Sequence, residues 1–352
     1  MTVFYILLAI LLFGVLILVH EFGHFITAKL SGIQVNEFSL FMGPTIWKKT
    51  RGETTYSLRC IPFGGFCAME GEDGDSENPR AFGNAKVWKR LIVLVAGATM
   101  NFLLGFLIVT ILIASIYDVL PTKQITAIED GRPFAAELQV GDEFYSINGE
   151  RVYVRDDITM LLDREKDAVH DLIVIRDGEK IELQDVTMRR DHVAEDGQSL
   201  LYGFSTGMED PSFFNVISYS WNESVNFARM VKLSLVDLFT GEVAVSDMSG
   251  PVGIVDTVTQ VGTQSESVGF GILNILYLFA FISVNLAVMN LLPIPALDGG
   301  RVVCLLITAA AEKILRRKIN PKYEGYLHAA FMILLLGFMA FITLKDVFHI
   351  FG

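Results

Sequence analysis

Two imidazoles and a carboxylate fall within five residues of one another in His20-Glu21-Phe22-Gly23-His24. Residues four apart share a helix face, so His20 and His24 can aim at a common point. His-Glu-x-x-His on a helix is the zinc-hydrolase pattern, with two imidazole ligands and Glu21 as general base. It closes a run, Val3 to Val19, that carries no charged side chain. An ionisable group inside a membrane segment costs about 2.5–3.5 kcal/mol on insertion scales, so such groups seldom persist without a function. The plain alternative is a polar set that helps helices pack.

A catalytic zinc usually has three protein ligands, so a third must come from another polar position at that depth. Asn285 and then Asn290-Leu291-Leu292-Pro293-Ile294-Pro295-Ala296-Leu297-Asp298-Gly299-Gly300-Arg301 supply one. Pro293 and Pro295 interrupt a helix and open a turn, and Gly299 and Gly300 permit close approach. Asp298, between these breakers, can reach the level of His20 and His24. Its other reading is a helix N-cap for the segment that follows.

The elements that must position these groups are membrane helices. The 352 residues are 52% hydrophobic and only 19% charged, and the mean hydropathy is +0.46, too apolar for an ordinary soluble enzyme. The net charge of -12 speaks against nucleic acid as a partner. Cys60, Cys67 and Cys304 form no metal-ligand spacing and read as free thiols. Four stretches reach the roughly 20 apolar residues a bilayer crossing needs: residues 1–31, 90–118, 270–300 and 326–350. The first has no Lys or Arg before it and no small-residue cleavage site, so it reads as a retained helix and not a signal peptide.

Lys48, Lys49, Arg51, Lys86, Lys89 and Arg90 lie between the first two spans; Arg301, Lys313, Arg316, Arg317, Lys318 and Lys322 lie between the last two. The positive-inside rule puts both loops, 32–89 and 301–325, in the cytoplasm. Both termini and the acidic middle of the chain then lie outside, and the His-Glu-x-x-His stretch lies towards the cytoplasmic side.

Within 32–89, residues 32 to 70 alternate apolar and polar positions between Gly/Pro breaks, which predicts short strands. Either a β-hairpin sheet dips into the membrane beside a water-filled cavity, or a small hairpin domain stands in the cytoplasm. Glu70-Gly71-Glu72-Asp73-Gly74-Asp75 lacks the full ligand register of a calcium loop and reads as an acidic linker. Residues 121–192 change character: β-type runs with turns at Asn148-Gly149 and Asp177-Gly178, and a short helix from Arg155 to Leu162, predict a small α+β domain. In the linker 193–269, residues 211–240 carry apolar side chains at three- and four-residue steps, an amphipathic helix for the membrane surface or the protein core. Ser249-Gly250-Pro251-Val252-Gly253 opens another short segment, with Pro251 suited to a first helical turn.

In these motifs the sequence resembles the site-2 protease family of intramembrane zinc metalloproteases, in its bacterial, anti-sigma-factor-cleaving branch. His20-Glu21-Phe22-Gly23-His24 and Leu297-Asp298-Gly299 resemble the family's two metal motifs. Pro62-Phe63-Gly64-Gly65-Phe66 and Ser249-Gly250-Pro251-Val252-Gly253 resemble two further signatures, and residues 134–152 resemble a bacterial PDZ domain. Some members carry two tandem PDZ modules, whereas this chain has room for one.

The resemblance implies a polytopic α-helical membrane protein with four transmembrane helices, a membrane-associated β-hairpin sheet and an inserted extracytoplasmic PDZ (α+β) domain. It implies Zn2+ held by His20, His24 and Asp298, with Glu21 as the catalytic base. Asn290, Asn285, Gly64 and Gly65 would then contact substrate. It further implies a bacterial inner-membrane enzyme that cuts within single-pass membrane proteins, such as anti-sigma factors or signal-peptide remnants, after an upstream site-1 protease. The PDZ module either binds peptide or filters substrates by size. A membrane scaffold has no need of Glu21, and a metal transporter would be expected to line several helices with ligands.

Overall fold

A computed structural model describes residues 1–72, 74, 76–193, 200–244, 248–316 and 322–351. Asp73 and Asp75 of the acidic linker, and Arg317 and Lys318 of the basic stretch, lie outside the described residues. In chain order, helix α1 (Thr2–Leu30) leads into strands β1 (Val35–Arg51) and β2 (Thr54–Met69), then helix α2 (Val87–Ile116). Strands β3 (Leu120–Ile128), β4 (Glu143–Ile147) and β5 (Glu150–Arg151) precede helix α3 (Asp156–Leu162). Strands β6 (Val169–Arg176), β7 (Glu179–Thr187), β8 (His192–Val193), β9 (Leu200–Leu201) and β10 (Phe204–Glu209) follow. Helices α4 (Phe213–Thr240), α5 (Pro251–Gln264), α6 (Val268–Asn290), α7 (Asp298–Leu315) and α8 (Lys322–Phe351) complete the described chain.

Four helices among the described residues are long and apolar enough to cross a membrane: α1, α2, α6 and Glu324–Phe348 of α8. Such helices satisfy every backbone group internally, which is why a bilayer accepts them. The chain forms two compact units, one of residues 1–108 with 230–352 and one of residues 109–229.

In the first unit, Tyr5 and Ala9 of α1 pack with Val258 of α5 and Ile275 of α6. Ala28 of α1, Val35, Cys67 and Met69 of the hairpin, Val93 and Leu94 of α2 and Leu305 of α7 form a second cluster. The strands are far longer than the short ones expected, because the chain doubles back within them. Glu37–Leu40 pairs with Gly65–Ala68 on one side and with Thr55–Leu58 on the other. The resulting sheet is pinned to the end of α1 by Glu53, which bonds Arg80 at 2.6 Å and Lys29 at 2.7 Å. Those two cations, Arg80 above all, hold the Glu53 carboxyl down to about 2.

Two expectations are corrected in this unit. The third span does not run from 270 to 300; α6 stops at Asn290, and residues 291–297 form a turn. Pro293 and Pro295 lack the N–H a helix needs, and Ala296 takes a left-handed φ of 82°. Residues 301–315, expected in a loop, are helical. Helix α7 begins at Asp298 and continues to Leu315, with Leu305 buried and Leu306 and Ile307 exposed; of the charges assigned to that loop, Arg301 and Lys313 lie on this amphipathic helix.

The second unit is a sheet in the order β10-β3-β4-β6-β7, with β5 beside β4. Phe134, Phe144, Ile147, Ile158, Leu162, Leu172 and Val174 are fully buried there. Asp142 receives two bonds from Arg176, Nε at 2.7 Å and Nη2 at 2.8 Å. Arg229, near the middle of α4, reaches Asp157 of α3 at 2.7 Å, both side chains being buried. The module does not stop at residue 192. Strand β10 pairs with β3, Phe204 opposite Ile128 and Glu209 opposite Leu120; six residues carry too little periodicity to declare their partner.

Candidate metal centre

Helix α1 brings His20 and His24 onto one face, as their spacing requires, and the first turn of α7 supplies Asp298. His20 Nε2 and His24 Nε2 each lie 3.2 Å from Asp298 Oδ2, and the two nitrogens lie 3.2 Å from each other. Tetrahedral zinc with bonds near 2.0–2.1 Å separates its ligand atoms by about 3.3 Å, so this triangle matches one face of such a polyhedron. Asp298 Oδ2 is shielded from solvent and makes no conventional hydrogen bond. That environment suits a metal-ligating oxygen and would be costly for a bare carboxylate. Leu297, and not Asp298, stands at the N-cap of α7, which removes the capping alternative.

Helix α2 forms the back of the site. The Val93 carbonyl accepts from His24 Nδ1 at 2.8 Å, which keeps the proton on Nδ1 and frees Nε2 to ligate. Asn101 is fully buried, and its amide lies 3.4 Å from His20 Nδ1, with Oδ1 lacking a partner. A half-turn of the amide exchanges its oxygen and nitrogen and sets Oδ1 against His20 Nδ1–H, the counterpart of the Val93 contact. Ser283 of α6 donates to the Asn101 carbonyl at 2.7 Å. Gly97 lies directly behind the two imidazoles: a Cβ there would stand 2.4 Å from His24 Nε2 and 2.8 Å from His20 Nε2.

Glu21 is half-buried on the hairpin side of α1. A Cβ on Gly65 would meet Glu21 Cγ at 3.4 Å, and the Cys67 backbone amide faces the carboxylate. The segment Gly65–Met69 of β2 therefore runs beside the prospective base. Gly64 takes a φ of 77°, and a Cβ there would strike Met42 at 2.8 Å; its demand is conformational. Asn285 and Asn290 are half-buried on α6. Five residues apart on a helix, they are turned from each other by about 140° and cannot serve one point together.

Sequence reasoning missed Gly97 and Asn101. Gly97 was visible only as one of a run of small residues. Asn101 was a lone amide in an apolar span, and that isolation was the available signal.

A His-Glu-x-x-His helix completed by a carboxylate from another helix, all among apolar spans, defines a zinc-dependent membrane peptidase. Residues 8–338 match the model of peptidase family M50, and the chain belongs to that family. A Clostridium perfringens protein provisionally named a zinc metalloprotease is 35% identical over 345 residues, 97% of this chain and 98% of the relative. Zinc metalloprotease RasP of Bacillus licheniformis is 29% identical, and regulator of sigma-W protease RasP of Bacillus subtilis 27%, each covering 97% of this chain and 98% of the relative. The chain is a multi-pass membrane zinc metalloprotease.

Proposed function

We propose that the enzyme hydrolyses peptide bonds within transmembrane segments, with zinc held by His20, His24 and Asp298. The mutual 3.2 Å spacing of the three ligand atoms, two on the apolar helix α1 and one at the start of α7, carries this reading. When bound, zinc supplies Lewis acidity, acidifying a water and polarising the scissile carbonyl. Glu21 takes the proton of the attacking water on its carboxylate and returns it to the leaving nitrogen. The backbone of Gly65–Met69 is the edge on which an unwound substrate pairs, replacing the hydrogen bonds that its helix gives up. Its pairing with Glu37–Leu40 occupies one side of that segment. Asn290, at the end of α6, and Asn285 hydrogen-bond the substrate backbone at separate points, and Gly64 and Gly65 let it approach closely.

In the same reading, the unit containing β3–β10 is a PDZ module on the extracytoplasmic side, with both termini, and the metal lies towards the cytoplasm of a bacterial inner membrane. Its substrates are single-pass proteins of the anti-sigma-factor or signal-peptide-remnant type, trimmed first by a site-1 protease. The name of the Bacillus subtilis relative, a regulator of sigma-W protease, favours the former.

The test is Glu21→Gln in purified full-length protein with a transmembrane reporter substrate. Zinc content should match wild type while cleavage disappears; wild-type cleavage by the zinc-loaded variant refutes the assignment. His20→Ala, His24→Ala and Asp298→Ala should instead lower zinc content.

A further inference from the structure

Asp298 is placed by the turn that precedes it, and that turn is held from outside. Of residues 293–297, Pro293 and Pro295 have no N–H to offer. Ile294 N–H bonds Leu292 O at 2.7 Å and Leu297 N–H bonds Ile294 O at 3.1 Å, both within the turn. The remaining donor, Ala296 N–H, leaves it and bonds His328 Nδ1 of α8 at 2.8 Å. Ala296 is also the residue with φ at 82°, a conformation that costs a side chain with a Cβ and is kept only where its surroundings impose it.

The turn and the start of α7 are packed against each other. A Cβ on Gly299 would stand 2.3 Å from the Leu291 and Leu292 carbonyl oxygens, and one on Gly300 would stand 2.2 Å from that of Ile294. The first turn of α7 is thus seated directly on residues 291–295, and a shift of that backbone displaces Asp298.

His328 is suited to this task. A backbone N–H can only donate, so Nδ1 carries the lone pair and the imidazole proton sits on Nε2. Glu324, one helical turn earlier, places Oε1 3.7 Å from Nε2, favouring that tautomer. The imidazole is 13% exposed. Cys304 of α7 completes a group whose ligand-type atoms lie within 4.8 Å of one another. Because Nδ1 accepts from an N–H and Nε2 bears the proton, the group orients a histidine and does not bind a cation.

We propose that His328 is the positioning residue for Asp298: by accepting the Ala296 N–H it holds the left-handed turn that sets the third ligand. The proposal rests on Asp298 being that ligand. It is tested in full-length protein in detergent with His328→Leu, which removes the acceptor, and His328→Asn, whose Oδ1 stands near the place of Nδ1. In metal-free protein, amide exchange of the peptide spanning 291–297 should accelerate in His328→Leu and stay near wild type in His328→Asn. Zinc affinity, by competition with a chelator, should fall about ten- to hundredfold in His328→Leu and recover in His328→Asn. Ala296→Gly, which relaxes the φ requirement, should shrink the loss caused by His328→Leu.

Unchanged exchange and affinity in His328→Leu overturn the proposal. So does an equal loss in His328→Asn, which would mean that shape and not the hydrogen bond matters. The expected exchange together with wild-type zinc affinity in Asp298→Ala overturns the ligand role of Asp298 and leaves the clamp on the turn supported. If His328→Leu fails to fold, His328→Asn and Ala296→Gly still decide: faster exchange in either variant overturns the clamp.

Discussion

Gly97 shows how the demands of a metal site reach a residue with no side chain. It has no need of a special φ; what it supplies is absence. Gly97→Ala places a methyl 2.4 Å from His24 Nε2, so the two imidazoles must part. Zinc affinity should fall at least about tenfold in a chelator competition. Gly105→Ala is the comparison, because its methyl meets Val284 and Ala280 of α6 most closely, Ser283 only at an ordinary 3.5 Å, and no ligand; it should perturb packing and leave metal affinity nearer to wild type. Asn101→Leu removes the acceptor behind His20 and should weaken zinc by about ten- to hundredfold, the usual scale for outer-shell partners of ligating histidines. Wild-type affinity in that variant would show that His20 needs no orienting amide.

At the scale of elements, the Ser249-Gly250-Pro251-Val252-Gly253 motif finds its reason in α8. Asp346 Oδ2 accepts from Gly250 N–H at 2.8 Å and Gly253 N–H at 2.9 Å, so a carboxylate from one helix caps the first turn of another, α5. A Cβ on Gly253 would stand 3.0 Å from that oxygen, and one on Gly250 would meet Ile342 at 2.8 Å. Asp346→Ala strands two donors at a buried helix start and should cost about 1–3 kcal/mol, read as a lower unfolding midpoint in detergent; Asp346→Asn should cost less. In the second unit, Asp142 and Arg176 join the start of β4 to the end of β6. Burial works against the Asp142 charge, but the Arg176 guanidinium and the Gln139 amide outweigh it and hold the carboxyl below its ordinary value. A folded-state value below the unfolded one stabilises the fold above the usual carboxylate range, near 3.9. That stability is lost as pH falls through the depressed value. Protease resistance of this unit should therefore drop on acidification below about pH 4, and the drop should flatten in Arg176→Met.

For the whole molecule, the boundary of the second unit decides how a filter should be removed. Excision of residues 123–190 would leave β10 without β3, its partner from Leu120 to Ile128, and expose an unpaired edge prone to aggregation. Excision of residues 120–209 removes the sheet with all its strands. If the module admits only trimmed substrates, that deletion should release cleavage of an untrimmed reporter; selectivity unchanged in a folded deletion variant would count against a filtering role.

Local periodicity determined much of this protein. Hydropathy located four apolar helices because a bilayer crossing is a property of one contiguous segment. The four-residue spacing of His20 and His24 determined their shared face because a helix has one geometry. Asp298 was nameable from its polarity among breakers. Tertiary structure alone decided what no single segment encodes. It carried the chain after Asp298 on as helix α7 and tied the turn before it to α8 through Ala296 and His328. It folded the hairpin back on itself and paired β10 with β3, because strand partners are chosen by cross-strand fit and not by local pattern. It gave Gly97, Asn101, Asp346 and His328 their parts, because each acts on an atom from a distant element. A sequence displays such a residue only as an unusual type in its place, and the reason for it appears when the other helix arrives.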